Sequence, residues 1–179
     1  RRQRQMCIRD RVGSMAVMIL NKLGCNVTAV TGKDSNKDYL VSIGARDVVN
    51  TSELMKDARP LDKGLWDGAV DTVGGKVLEN ILSQTKDAGI VAACGNAADI
   101  KLNTTVMPFI IRGVKLWGIN SVNASIRRRQ FLWNEAGKLL DFETLGKSVK
   151  EINLEEVIDI YPKMLKGETS GRYIINLDK

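Results

Sequence analysis

The residues best suited to chemistry are short glycine-bearing triplets at the ends of apolar runs. Val12-Gly13-Ser14 precedes a helical pattern, and Thr31-Gly32-Lys33 follows the β-branched run "NVTAV". Glycine lets backbone approach a pyrophosphate, and the helix behind it aims its N-terminus at that charge. The end of the second strand then decides which dinucleotide fits. An Asp or Glu there holds a ribose 2′-hydroxyl, whereas a basic or small polar group suits a 2′-phosphate. Thr31 lies eighteen residues after Gly13 and offers a hydroxyl, and Lys33 offers a point charge. Asp34 sits one residue too far on and fits a helix cap better. Each feature has a plainer reading, a tight turn at Gly13 and a solvated lysine at Lys33. Three further strand exits, Thr72-Val73-Gly74, Cys94-Gly95-Asn96 and Gly118-Ile119-Asn120-Ser121, are expected to line one cleft.

Those triplets need elements to position them. Val12, Met15, Ala16, Ile19 and Leu23 recur at three- and four-residue spacing and predict a helix that stops at Gly24. Strands are predicted at 26–30, 47–50, within 66–74, at 89–95 and at 114–121. Helices are predicted over "DSNKDYLVSIGA", with Asp34 or Ser35 as cap, and over 75–86. Alternating helices with near-continuous apolar strands mean a parallel, doubly wound Rossmann sheet with helices on both faces. The tail predicts helices at 126–140 and 154–167 (the second despite Pro162) and strands at 148–153 and 171–177. These two strands have no evident partner in the main sheet. Before Val12, where an apolar strand and a glycine loop belong, stands only "RRQRQMCIRDR".

Composition excludes several classes. The net charge is +6, but residues 1–11 alone supply +4. The remainder is nearly balanced, so no basic groove for nucleic acid is expected. "RRR" at Arg127–Arg129 reads as a solvated helix face. No apolar run is long enough to span a membrane, and no secretory leader pattern is present. The three cysteines, Cys7, Cys25 and Cys94, lack metal spacing; Cys25 and Cys94 are expected as small core residues in a reducing, cytoplasmic protein. The sequence contains no histidine, which removes histidine proton transfer and histidine metal ligation from this chain.

"VGSMAVMILNKLG…VTAVTGK", "ARPLDK…WDGAVDTVGGKVL", "VAACGNAA", "TTVMPFIIRGVKLWGINSV" and "GETSGRYIINL" together resemble the NADPH-dependent acrylyl-CoA reductases. These are zinc-free, quinone-oxidoreductase-like members of the medium-chain dehydrogenase/reductase superfamily. The resemblance implies an N-terminally truncated fragment, inactive alone. Residues 12–140 would be a partial NADP-binding Rossmann domain whose sheet lacks its first strand. Residues 141–179 would return toward a missing GroES-like catalytic domain, which would own the C-terminal strands and the catalytic residues. Residues 1–11 would be a non-native leader, "RDR" standing where a "GATGGVG"-like loop should end and Asp10 setting negative charge beside the pyrophosphate.

The resemblance also distributes roles. Val12 and Gly13 match the end of the phosphate loop, with Ser14 beside them as a further cofactor-binding candidate, and Thr31, Gly32 and Lys33 match a Ser-Gly-Arg that holds the 2′-phosphate. Thr51 falls where some relatives place an arginine near the adenosine phosphate, so that contact is expected to be lost. Asn96, Ile110 and Ser121 match positions around the nicotinamide and its ribose, and Arg172 matches a further cofactor contact. The implied reaction transfers hydride from NADPH to a short enoyl-CoA or a quinone-like acceptor, without metal, in a homodimer whose contact lies near 114–121. The alternative is a non-catalytic nucleotide-binding or interaction module. A Rossmann methyltransferase would need an acidic group where Thr31–Lys33 stand.

Overall fold

A computed structural model describes residues 3–7, 11–140, 142–165, 168–169 and 171–177, with side chains from residue 12 onward. The chain runs β1 (Gln3–Cys7), α1 (Arg11–Lys22), β2 (Asn26–Thr31), α2 (Lys37–Ser42), β3 (Asp47–Asn50), β4 (Trp66–Asp71) and α3 (Gly75–Ser83). It continues through β5 (Thr85–Ala93), α4 (Met107–Arg112), β6 (Lys115–Gly118), α5 (Ile126–Leu139), α6 (Phe142–Gly146), β7 (Val149–Asn153), α7 (Val157–Leu165) and β8 (Arg172–Asn176). Six strands form one sheet in the order β3-β2-β1-β4-β5-β6, every pair parallel. This is the Rossmann order, with its crevice beside β1 and β4 where the winding reverses.

The sheet is not missing its first strand. Backbone of Gln3–Cys7 lies between β2 and β4, pairing Gln3–Cys7 with Asn26–Val30 and Arg4–Met6 with Gly68–Val70. A parallel ladder needs only main-chain donors and acceptors, and this stretch contains no proline. Reading side chains for apolar character missed that capacity. Arg1, Arg2, Ile8, Arg9 and Asp10 lie outside the described residues, as does the side chain of Arg11.

Two apolar layers sandwich the sheet. On one face Val17 and Met18 of α1 and Leu40 and Ile43 meet Val27 and Ala29. On the other, Val77, Leu78, Ile81 and Leu82 of α3 meet Val30, Ala69 and Val91. Ala29 and Val30 thus serve opposite faces, as the two-residue period of a strand requires. The strand expected at 89–95 begins earlier, at Thr85, because its first pair, Trp66 with Thr85, precedes a register shift. Ala88 takes a positive φ of 56° at that irregularity. Only one side of β5 is dry, and Cys94 is exposed, unlike the core residue expected, whereas Cys25 is half-buried and packs against the core layer of α1.

Beyond the sheet, β7 and β8 pair with each other in parallel and stand apart from the six strands. Asp34 does not cap a helix. A short 3₁₀ turn at Asp34–Asn36 precedes α2, and the Asp34 carboxylate accepts from Asn50 Nδ2 at 3.2 Å. The tail of the predicted helix 154–167 at residues 166 and 167 lies outside the described residues. Among the described residues no helix is long and apolar enough to cross a membrane.

Ile81 is fully buried at the centre of the α3 face. Ile81→Ala should lower unfolding free energy in urea by about 2–5 kcal/mol, through lost apolar contact and a cavity. A loss below about 1 kcal/mol would mean that α3 does not pack on the sheet as described.

Candidate functional site

Right-handed crossovers bring the carboxyl ends of all six strands to one edge, and the loops leaving that edge carry the site. At the β2 and β3 ends, Thr31 is buried and its hydroxyl accepts the Lys33 N–H at 3.2 Å. A methyl built on Gly32 would stand 3.8 Å from Thr51 Oγ1, so Thr51 borders the same corner. Asn50 closes it twice, accepting from Ser52 N–H at 3.0 Å and donating to Asp34. The corner presents a half-buried lysine, two hydroxyls and backbone amides. The Asp34 carboxylate beside it is already engaged by Asn50.

A second cluster stands at the ends of β4 and β5. Asp71 is fully buried, and its two carboxylate oxygens accept from Val73 N–H at 3.2 Å and Gly74 N–H at 3.0 Å. Gly74 has φ of 74°, and a Cβ there would come within 2.3 Å of the Asp99 carbonyl oxygen. A Cβ on Gly95 would come within 2.5 Å of the Thr72 carbonyl oxygen. Glycine is needed at both places because two backbone segments touch. Across that contact Ala97 N–H donates to Thr72 O at 3.4 Å and Ala98 N–H to Val73 O at 2.9 Å. The third strand exit joins through Ile119 N–H, which donates to Ala93 O at 2.8 Å. The three exits do line one edge.

Burial raises the Asp71 carboxyl above its ordinary value, and the two amides pull partly the other way. A folded value above the unfolded one means the folded chain holds the extra proton. Stability from this group is therefore greatest at acid pH and falls as pH rises through the interval between the two values. The ionised form is kept at a cost to the fold.

The remaining expected residues fall as follows. Gly13 and Ser14 are buried in the first turn of α1, while Val12 is half exposed. Arg172, at the start of β8, reaches that turn, its Nη1 lying 3.4 Å from Met15 Sδ. Asn96 and Ile110 are exposed on the 94–99 loop and on α4. Ser121 is exposed after β6, where Arg129 Nη2 donates to its carbonyl at 2.8 Å. Arg129 also binds the carbonyls of Val122 and Ala124, so one arginine of "RRR" fastens a turn and is not merely solvated. Sequence reasoning missed Asp71 and Asn50. Asp71 lay inside "DTVG", but nothing in a linear string shows that its carboxylate turns back onto two amides.

Sheet order, crevice and strand-end loops define a Rossmann dinucleotide-type domain. Residues 12–138 match the family described as zinc-binding dehydrogenase, and the chain belongs to it. Acrylyl-CoA reductase AcuI of Ruegeria pomeroyi is 38% identical over 168 residues, covering 93% of this chain and 51% of that protein. The chain thus spans about half the length of the curated relatives it matches. Among solved structures, the yhdH oxidoreductase of Salmonella enterica in complex with NADP superposes with a TM-score of 0.91 at 39% identity, over 98% of this chain and 54% of that one. Bacillus subtilis protein yhfP with NAD bound gives 0.89 at 35% identity, over 98% and 54%.

The family description names zinc, but the described residues of this chain offer no donor set for it. The chain has no histidine, and among the described residues no group of three or more Cys, Asp or Glu could hold a metal ion.

Lys33→Glu should weaken NADPH binding about tenfold or more, about 1.4 kcal/mol, and leave NADH binding within about twofold. Calorimetric titration of both nucleotides checks this. Equal losses for the two would remove Lys33 from the 2′-phosphate.

Proposed function

We propose that this chain is the cofactor-binding half of an NADPH-dependent reductase that acts on a short α,β-unsaturated acyl-CoA. The observation that carries the reading is the corner at the β2 end. Thr31, Gly32 and Lys33 stand where an NAD-specific site would place a free carboxylate. In this reading Lys33 supplies the charge that meets the 2′-phosphate, as a point charge rather than a bidentate fork. Thr31 and the neighbouring amides supply donors, and Thr51 fills the space beside them without charge. The first turn of α1, with Gly13 and Ser14, faces the pyrophosphate. Arg172, already against that turn, adds positive charge near it. Asn96, Ile110 and Ser121 flank the nicotinamide end.

NADPH, when bound, supplies the hydride for the β-carbon of the enoyl thioester, and a proton then completes the α-carbon. Conjugation to the thioester already polarises the alkene, so the reaction needs no metal. Residues 141–179 are assigned to the catalytic domain of the whole protein, which is also where substrate contacts and the proton donor are assigned. A quinone acceptor demands similar hydride geometry and is the second substrate class. The unpaired edge strand β6 exposes Leu116 and Trp117, with Ile119 just beyond, which suits pairing with a second copy. The protein is assigned to the cytoplasm.

The test joins this chain to the N-terminal half of the Ruegeria pomeroyi relative and follows NADPH oxidation with acrylyl-CoA and with a quinone. Oxidation that depends on acrylyl-CoA is expected. Oxidation by quinone alone would reassign the substrate. Tight NADPH binding with no oxidation by either would favour the non-catalytic module.

A further inference from the structure

The Asp71 side chain is a buried acidic group that neither hydride transfer nor phosphate binding uses. It ends β4, which borders the crevice beside β1. Its neighbourhood is built from main chain. One carboxylate oxygen takes the Val73 amide and the other takes the Gly74 amide. The Asp71 carbonyl accepts the Cys94 amide at 2.8 Å and also faces Cys94 Sγ at 3.3 Å. The next two carbonyls, of Thr72 and Val73, accept from Ala97 and Ala98. Three successive carbonyls of one turn thus hold three amides of the 94–98 segment. Asn96 lies in the chain between the first and the second of these attachments, its Cα 3.3 Å from where a Gly74 Cβ would be.

Two amides pointing at one side chain demand two acceptor atoms. An ionised carboxylate offers both oxygens as acceptors, whereas an amide keeps one oxygen and turns a donor toward the other N–H. A hydroxyl brings a single acceptor oxygen and holds such turns more weakly. A tight turn alone does not require a buried charge, which the fold retains at a cost. The charge is explained if the path of residues 72–74 must be fixed closely, and those residues carry the loop with Asn96.

We propose that Asp71 is a positioning residue: by fixing the Val73 and Gly74 amides it sets the 72–74 turn, and through it the 94–99 loop that carries Asn96 to the nicotinamide end of the cofactor. This rests on the cofactor reading given above. Asp71 touches neither cofactor nor substrate and acts only through the two turns.

The test uses the chain itself with Asp71→Asn and Asp71→Ser, read first by amide hydrogen exchange. Both variants should speed exchange at Ala97 and Ala98 about tenfold and leave Val27 and Val30 of β2 unchanged. Unchanged exchange at Ala97 and Ala98, or an increase spread evenly over the sheet, overturns the inference. So does loss of folding in both variants, which would make Asp71 a requirement of the whole fold. NADPH titration supplies the second readout, with Asn96→Ala alone and combined with Asp71→Asn. Asn96→Ala should weaken binding severalfold, and Asp71→Asn should add little on top of it although it weakens binding by itself. An Asn96→Ala variant that binds as well as the parent defeats the cofactor reading of that loop. An Asn96→Ala loss joined by a full, independent loss from Asp71→Asn, or by none from it, defeats the positioning role.

Discussion

The parallel ladder runs unbroken from β3 to β6 only because a strand occupies the slot between β2 and β4. That central pairing is the constraint on which the site depends. With Gln3–Cys7 in place, β2 and β4 are held one strand apart and the winding reverses between β1 and β4. The carboxyl ends of β2, β4 and β5 then fall around one crevice. Thr31–Lys33 is on one side of it, the Asp71 turn on the other, and the first turn of α1 between them. Without that strand, β2 and β4 would each present an open edge, and the two halves of the site would have no fixed separation.

Around this frame the loops are fastened by main-chain carbonyls more than by ion pairs. Arg112 donates from Nη1 to the carbonyls of Ser83 and Thr85 and from Nη2 to that of Asp62, pinning α4 to the start of β5. Asn80 Nδ2 lies within 3.0 Å of the carbonyls of Leu54, Lys56 and Lys76. Glu79 accepts the Asn103 amide at 2.8 Å. Among the described residues most ion pairs lie on the outside, as with Lys76 and the exposed Asp57, and surface pairs contribute little. Polar groups on α3 therefore hold the loops that approach the site, while its apolar face holds the sheet.

Much of this was legible in the sequence. The stripe Val12, Met15, Ala16, Ile19 and Leu23 and the β-branched run "NVTAV" located α1 and β2 to within two residues, but the stripe missed the buried face of the helix: Val12 and Leu23 are exposed, and Val17 and Met18 meet the sheet. The three glycine-bearing strand exits followed from the same logic. What stayed hidden depends on partners distant in the chain. Gln3–Cys7 carries no apolar pattern, and its place comes from two neighbours offering unpaired backbone. The early start of β5 depends on Trp66 across the ladder, and the Asp34–Asn50 contact joins two loops. Asp71 reads as an ordinary strand-end acid until the turn folds back on it. Arg172 was singled out by resemblance alone, yet its approach to Met15 joins residues 157 positions apart.

The central claim is that the corner at Thr31, Gly32, Lys33 and Thr51 receives the 2′-phosphate of a dinucleotide. The most direct measurement is amide chemical-shift mapping of the chain titrated with 2′-AMP, with 5′-AMP as the control. The account predicts saturable shifts at Thr31, Gly32, Lys33 and Thr51 with 2′-AMP that are much smaller with 5′-AMP at the same concentration. Equal shifts with both nucleotides, or shifts that avoid this corner, would contradict it.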